Sequence, residues 1–185
     1  MKRVLVYFAD GFEECEGLLV VDILRRAGIE VTTASIMEDR RICSSHQIEL
    51  FADAMASEAD AASFDAVVLP GGIPGTPNLA ACPQVTETCL QFAEQGKIVA
   101  AICAAPGILG GIGLLKGKRA TVYPGMEDTL IGAEPTACEV VVDGNIITSR
   151  SMGTAIPFAL TLVQELLDRD AAVSLAHAIC YEHFQ

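Results

Sequence analysis

Ile98-Val99-Ala100-Ala101-Ile102-Cys103-Ala104-Ala105-Pro106-Gly107 passes from a short β-branched, alanine-rich run directly into small residues and a proline. Such a run reads as a fully buried parallel strand. Proline is tolerated in the first turn of a helix, where its missing N–H costs no hydrogen bond. Cys103 is therefore predicted on a strand-to-helix turn, the place where many folds hold a nucleophile. Backbone N–H groups and the positive end of a helix dipole face that position, and both favour thiolate over thiol.

Working outward, Val4 to Phe8 reads as a buried strand, followed by a loop at Ala9 to Phe12 and a helix from about Glu13 to Ala27. Gly17, Val20, Val21, Leu24 and Ala27 share one face of that helix, and Gly28 closes it. Strands are predicted at Ile29 to Ile36, within 38–53 around a turn near Ser44-Ser45-His46, and at Ala66 to Leu69. The last of these runs into Pro70-Gly71-Gly72, where two glycines allow close backbone approach or a positive φ. Pro83 opens a helix that ends before Gly96. Further strands are predicted at Ala120 to Val122 and in a hairpin, Val140 to Val142 against Ile146 to Thr148, turned by Asp143-Gly144. Helices from about Thr154 to Leu167 and Ala171 to Ile179 complete the chain. Alternating strands and helices imply an α/β domain over 1–185, a three-layer sandwich with a mostly parallel sheet and helices on both faces. Its binding crevice lies at the carboxyl ends of the strands.

The composition narrows the function. With 185 residues the chain can bury a core without disulfides. Its formal charge of −12 argues against a nucleic-acid partner. Apolar runs stop short of membrane-spanning length, and Met1-Lys2-Arg3 leads into a strand, so a cytoplasmic protein is expected. Seven cysteines are an odd number for a disulfide framework. No CxxC or His/Cys cluster has zinc spacing, and neither a metal nor a cofactor is expected. Cys89 shares a helical face with Val85, Phe92 and Ala93 and reads as a packing residue.

Glu13, Glu14 and Glu16 begin the first helix, where acidic side chains complement the helix dipole. Glu16 differs from the other two because it falls beside Gly17 on the buried face. A carboxylate there needs a partner or a proton. Cys15, beside it, points elsewhere on the helix.

Ala9-Asp10-Gly11-Phe12-Glu13-Glu14-Cys15-Glu16, Val21-Asp22-Ile23-Leu24-Arg25-Arg26-Ala27-Gly28-Ile29, Val68-Leu69-Pro70-Gly71-Gly72, Ala100-Ala101-Ile102-Cys103-Ala104-Ala105-Pro106 and Thr148-Ser149-Arg150 together resemble the DJ-1/ThiJ/PfpI superfamily, in its DJ-1/YajL branch. The resemblance runs in order from residue 3 to about 167. It implies a flavodoxin-like sandwich, a homodimer and a reactive cysteine on a strained elbow. By position, Cys103 matches that cysteine and Glu16 the acid that hydrogen-bonds its sulfur. Gly72 and Ala104 match the oxyanion-binding amides, with Gly71 beside them.

The chain departs from the family pattern at three places. Tyr123-Pro124 stands where many relatives have a histidine, and tyrosine is a poor base near pH 7. Ala104 stands where the peptidase-like branch has His, which argues against a protease dyad. Ser151-Met152-Gly153-Thr154 alters the rim beyond Arg150. Tyr123, Arg150 and His46 are the remaining pocket candidates, His46 by way of a dimer interface. The resemblance implies a cofactor-independent glyoxalase or protein deglycase acting on small dicarbonyls or their glycated adducts. The competing expectation is a redox sensor or chaperone that works through oxidation of Cys103.

Overall fold

The long β-branched runs predicted as strands all enter one sheet. In the computed structural model, which describes residues 1–184, the chain begins β1 (Arg3–Phe8), α1 (Glu14–Arg26), β2 (Glu30–Ser35), β3 (Arg41–Cys43), β4 (Glu49–Phe51) and β5 (Ala54–Met55). It continues β6 (Ala66–Leu69), α2 (Gly75–Ala81), α3 (Pro83–Glu94), β7 (Ile98–Ile102), α4 (Pro106–Gly111), β8 (Arg119–Ala120) and β9 (Glu134–Pro135). The hairpin β10 (Val140–Asp143) and β11 (Ile146–Ser149) and the helices α5 (Ala155–Leu166) and α6 (Arg169–Ala178) follow.

Seven strands lie in the order β10-β11-β7-β6-β1-β2-β5. Neighbours are parallel except in the β10–β11 hairpin. This is the flavodoxin-like α/β arrangement, and its chain order reverses between β1 and β6, the kind of position where open α/β sheets bind ligands.

Alternation along β1 builds both cores. Val4, Val6 and Phe8 pack with Val20 and Leu24 of α1 and Phe158 and Leu162 of α5. Leu5 and Tyr7 pack with Leu79 of α2, Val85, Cys89 and Phe92 of α3, and Leu109 of α4. α1, α5 and α6 thus cover one face and α2, α3 and α4 the other, with the core filled mainly by aliphatic side chains. Tyr7 sits in the second core with its hydroxyl 3.0 Å from Thr88 Oγ1, which satisfies the one polar atom it buries.

Two predicted boundaries change. Ala120–Val122 is not a strand of the main sheet: only Arg119–Ala120 is extended, and it pairs with Glu134–Pro135 in a separate ladder. Thr121 is instead tied back by its N–H to Thr148 Oγ1 at 3.0 Å. α2 has no counterpart in the sequence pattern, because Pro74-Gly75 at its start and Pro83 after it read as turn signals.

Candidate active site

Three strand ends converge on Cys103. After β1 the chain turns through Gly11 and Phe12, and Glu13 N–H donates to the Gly71 carbonyl at 2.9 Å, which fastens this loop to the turn after β6. Glu13 then caps α1, its carboxylate accepting from Glu16 N–H at 2.7 Å. That cap fixes the first turn of the helix and directs Glu16 inward, where it is 1% exposed.

After β7, Cys103 takes φ +63°, an uncommon conformation for a residue with a Cβ. Its N–H donates to Ser149 O at 3.0 Å, and its carbonyl accepts from Tyr123 N–H at 2.9 Å. The neighbouring strand end and the loop after β8 therefore hold the elbow in place.

The glycines of the β6 turn do two different jobs. A Cβ on Gly71 would lie 2.5 Å from Cys103 Cβ and 2.6 Å from Glu16 Oε2, so thiol and carboxyl meet where that side chain is missing. Gly71 N–H donates to Glu16 Oε2 at 3.0 Å and so serves the acid directly. Gly72, at φ +98°, turns its own N–H to the Cys103 sulfur, as does Ala104.

Burial pushes the Glu16 carboxyl up to about 7, helped by the charge of Glu13 and opposed by hydrogen bonds from Cys103, Gly71 and Met152. Burial, then the charge of Glu16 and its hydrogen bond, push the Cys103 thiol up to about 12 against the Ala104 and Gly72 amides. The turn alone therefore does not produce a thiolate. α4 has only six residues, and its end and the two amides are outweighed by burial beside a carboxylate. A proton on Glu16 removes the second and third causes of that rise and eases the thiol's ionisation, because the neutral acid carries no charge and donates to sulfur instead of accepting from it. Thiol and carboxyl titrate as one unit.

The other candidates lie around this centre. Tyr123 is half-exposed and, with Pro124, Glu139, Arg150, Ser151 and Thr154, lines a cleft of about 230 Å³. Arg150 Nη1 donates to Ala137 O at 3.3 Å. His46 is not brought to the sulfur within this chain; its Nδ1 pairs with Glu14 Oε1 at 2.8 Å at the start of α1. Burial pushes the Glu14 carboxyl up, but its own N–H, Ser44 and His46 together hold it below the usual range. Glu13, Glu14 and His46 are the one grouping among the described residues with metal-capable atoms close together. Those atoms are already engaged with α1's cap and with each other. All seven cysteines are unpaired. Burial and the charges of Glu13, Glu14 and Glu16 push Cys15 up, which makes it a poor thiolate.

Two contributors escaped the sequence reading. Met152 N–H supports the Glu16 carboxyl, and an apolar cleft of about 420 Å³ opens beside Ala104. Backbone donors carry no residue-type signal. The position of Met152, three residues past the end of β11, was the only hint.

Residues 2–165 match the model of the DJ-1/PfpI family. The chain is 38% identical over 177 residues to Protein DJ-1 homolog B of Arabidopsis thaliana, covering 95% of this chain and 40% of that protein. It spans less than half the length of the Arabidopsis relatives it matches. A protein named as a deglycase from Pyrococcus abyssi is 37% identical over 153 residues, 82% of this chain and 91% of its own. The crystal structure of a cysteine-to-alanine mutant of a DJ-1 superfamily protein from Salmonella typhimurium superposes with a TM-score of 0.94 at 40% identity, covering 98% of this chain and 99% of that one.

Proposed function

The chain belongs to the DJ-1/PfpI family, and on that premise we propose that it is a cofactor-independent enzyme converting α-oxoaldehydes, free or as early protein adducts, into 2-hydroxy acids through Cys103. The observation that carries this reading is the convergence of a thiol, a carboxyl raised to about 7 and two backbone donors on one point.

The Cys103 thiolate adds to the aldehyde carbon, and the new alkoxide develops towards the Gly72 and Ala104 N–H groups before taking the Glu16 proton. Glu16, now a carboxylate, removes the hydrogen of that carbon as a proton. The proton returns to the adjacent carbon while the hydroxyl proton on the sulfur-bearing carbon passes to the neighbouring oxygen, so one carbon is oxidised to the thioester carbonyl and its neighbour reduced to the alcohol. The product is a thioester of a 2-hydroxy acid. Water attacks it, the C–S bond breaks and the thiol is regenerated. One water is consumed and no external oxidant is needed. A carboxyl near 7 suits both proton steps at neutral pH.

The wild-type protein is expected to convert methylglyoxal to lactate, and Cys103→Ser to lose that conversion. Equal rates in both would overturn the assignment.

The same three donors support a second reading, in which peroxide oxidises Cys103 to a sulfinate held by Glu16 and the two amides. Intact mass after mild peroxide should then show two added oxygens on wild type and none on Cys103→Ser. Seven free thiols fit a reducing, cytoplasmic setting. Leu18 on α1 and Ile48 and Phe51 on or beside β4 are exposed, and a homodimer that covers them is the proposed form. Sedimentation should give twice 19.5 kDa; a monomer mass would exclude it. Among the described residues no helix is long and apolar enough to cross a membrane.

A further inference from the structure

Beside the nucleophile, on the α2–α4 face, lies a cleft of about 420 Å³ whose wall is mostly apolar. That volume falls within the range of about 300–1,000 Å³ seen for small-molecule sites. Two of its lining residues tie it to the reacting sulfur: Ala104, whose N–H faces the sulfur, and Ile73, which follows Gly72, the other such donor. Ile108, Ile112 and Met126 supply the farther walls. Thr76 also lines the cleft, and its hydroxyl is one of two buried side-chain polar atoms among the described residues with no hydrogen-bond partner. An unpaired buried hydroxyl is costly in a packed core.

We propose that this cleft takes the carbon chain of the α-oxoaldehyde that reacts at Cys103, so that the preferred substrates carry an alkyl arm of several carbons in place of the methyl group of methylglyoxal. This rests on the reading of Cys103 as the nucleophile for α-oxoaldehydes. The wall fits a carbon chain joined to an oxygen-bearing head. It is apolar along most of its length, and it starts at Ala104, itself one of the two oxyanion donors, and at Ile73, the neighbour of the other. The cleft holding Tyr123 and Arg150 is smaller, about 230 Å³, and carries charged Glu139 and Arg150 on its wall.

Gly111 at the end of α4 gives a direct way to fill the space. Gly111 lines the cleft and a Cβ built there meets nothing within 4 Å, so a larger side chain can be placed at the cleft's rim without displacing backbone. Glycine is also a poor helix former, so its replacement does not cost helix stability.

The test compares straight-chain 2-oxoaldehydes from methylglyoxal to hexylglyoxal on wild type, Gly111→Phe and Ile112→Gln. In wild type kcat/KM should rise about two- to fourfold per added methylene, as burial of each methylene predicts. Both variants should flatten that slope towards one. The same slope in all three proteins, or no slope in wild type, overturns the proposal. If wild type turns over none of the series, the reading of the enzyme's reaction fails instead. Alkylation of Cys103 by N-methyl and N-hexyl iodoacetamide, followed by intact mass, then decides the cleft on its own. Faster capture of the hexyl reagent in wild type, lost in Gly111→Phe, supports it, and equal rates in both proteins refute it.

Discussion

Replacing Glu16 by leucine separates the two ways a carboxyl can act on a thiol. Were Glu16 ionised, the Cys103 thiol would stand at about 12, and only about one molecule in 10⁵ would carry a thiolate at pH 7. Removing the carboxylate would then accelerate reaction at the sulfur. Were Glu16 the proton carrier described above, the leucine would delete a hydrogen bond to a charged group, about 1.5–3 kcal/mol, and the thiolate population would fall by about 10- to 150-fold. The thiolate that remains is more basic and a better nucleophile, with a Brønsted slope of about 0.45. That recovers nearly half of the loss on a logarithmic scale. The expected outcome is a 4- to 16-fold slower alkylation by iodoacetamide at pH 7, to order of magnitude. Rates are read by intact mass with Cys103→Ser as the blank for the other six thiols. In wild type the rate should rise through pH 7, where the pair gives up its first proton. A leucine variant that alkylates as fast as wild type, or faster, would refute the role given to the acid's proton.

Glu16 also makes stability depend on pH. Its carboxyl is raised in the folded protein, so its contribution is fully present below the ordinary carboxylate range and is lost as pH rises through about 7. Glu16→Gln should therefore gain about 3 kcal/mol relative to wild type between pH 4 and pH 8, by urea denaturation at each pH; a constant difference between the proteins would contradict the shift. Gly71→Ala forces a Cβ to 2.5 Å from that of Cys103. It should cost about 1–3 kcal/mol and slow iodoacetamide capture at least about tenfold, the reactive geometry being held within tenths of an ångström; unchanged rates would show that the site tolerates the methyl. Burial pushes the Asp53 carboxyl up, but Thr33 N–H at 2.9 Å, its hydroxyl and Arg25 hold it below its usual range. Its contribution is present above the ordinary carboxylate pKa and disappears as pH falls. Asp53→Asn should cost about 1 kcal/mol at pH 7, discounted for its half-exposed ion pair, and progressively less as pH falls below the ordinary carboxylate range; a gap that does not shrink in acid would assign the loss to packing.

The parts of this molecule that could be read from the chain are those written in periodicity and local chemistry. Val4 to Phe8 and Ile98 to Ile102 announce themselves because a strand buried on both faces needs an unbroken apolar run. Gly28 marks a helix end because it tolerates the left-handed φ required there, and Pro106 a helix start because its fixed φ and missing N–H suit the first turn. Pro70-Gly71-Gly72 reads as a place of close approach, though not that Gly71 serves the acid and Gly72 the sulfur. α2 was hidden because seven residues between two turn signals hold too little periodicity to outweigh them. The state of Cys103 was hidden for a different reason. Sequence displays the elbow and its amides, whereas burial and the distance to Glu16 exist only after strands 90 residues apart have been brought together. Arg150 and His46 show the same limit: their partners, Ala137 O and Glu14, are decided by loops whose paths no local pattern fixes.

The alternation along β1 has a thermodynamic consequence. One strand forms a wall of both cores, with Val4, Val6 and Phe8 facing one helical layer and Leu5 and Tyr7 the other. Neither layer can melt and leave its neighbour intact, since stripping α5 from the sheet opens water access to the strand that also supports α3. The two halves are locked into one cooperative transition. The loop that carries Glu16 springs from the end of that strand, and it has no partially unfolded state in which to lose its geometry early. Loss of Cys103 chemistry on heating should coincide with global unfolding.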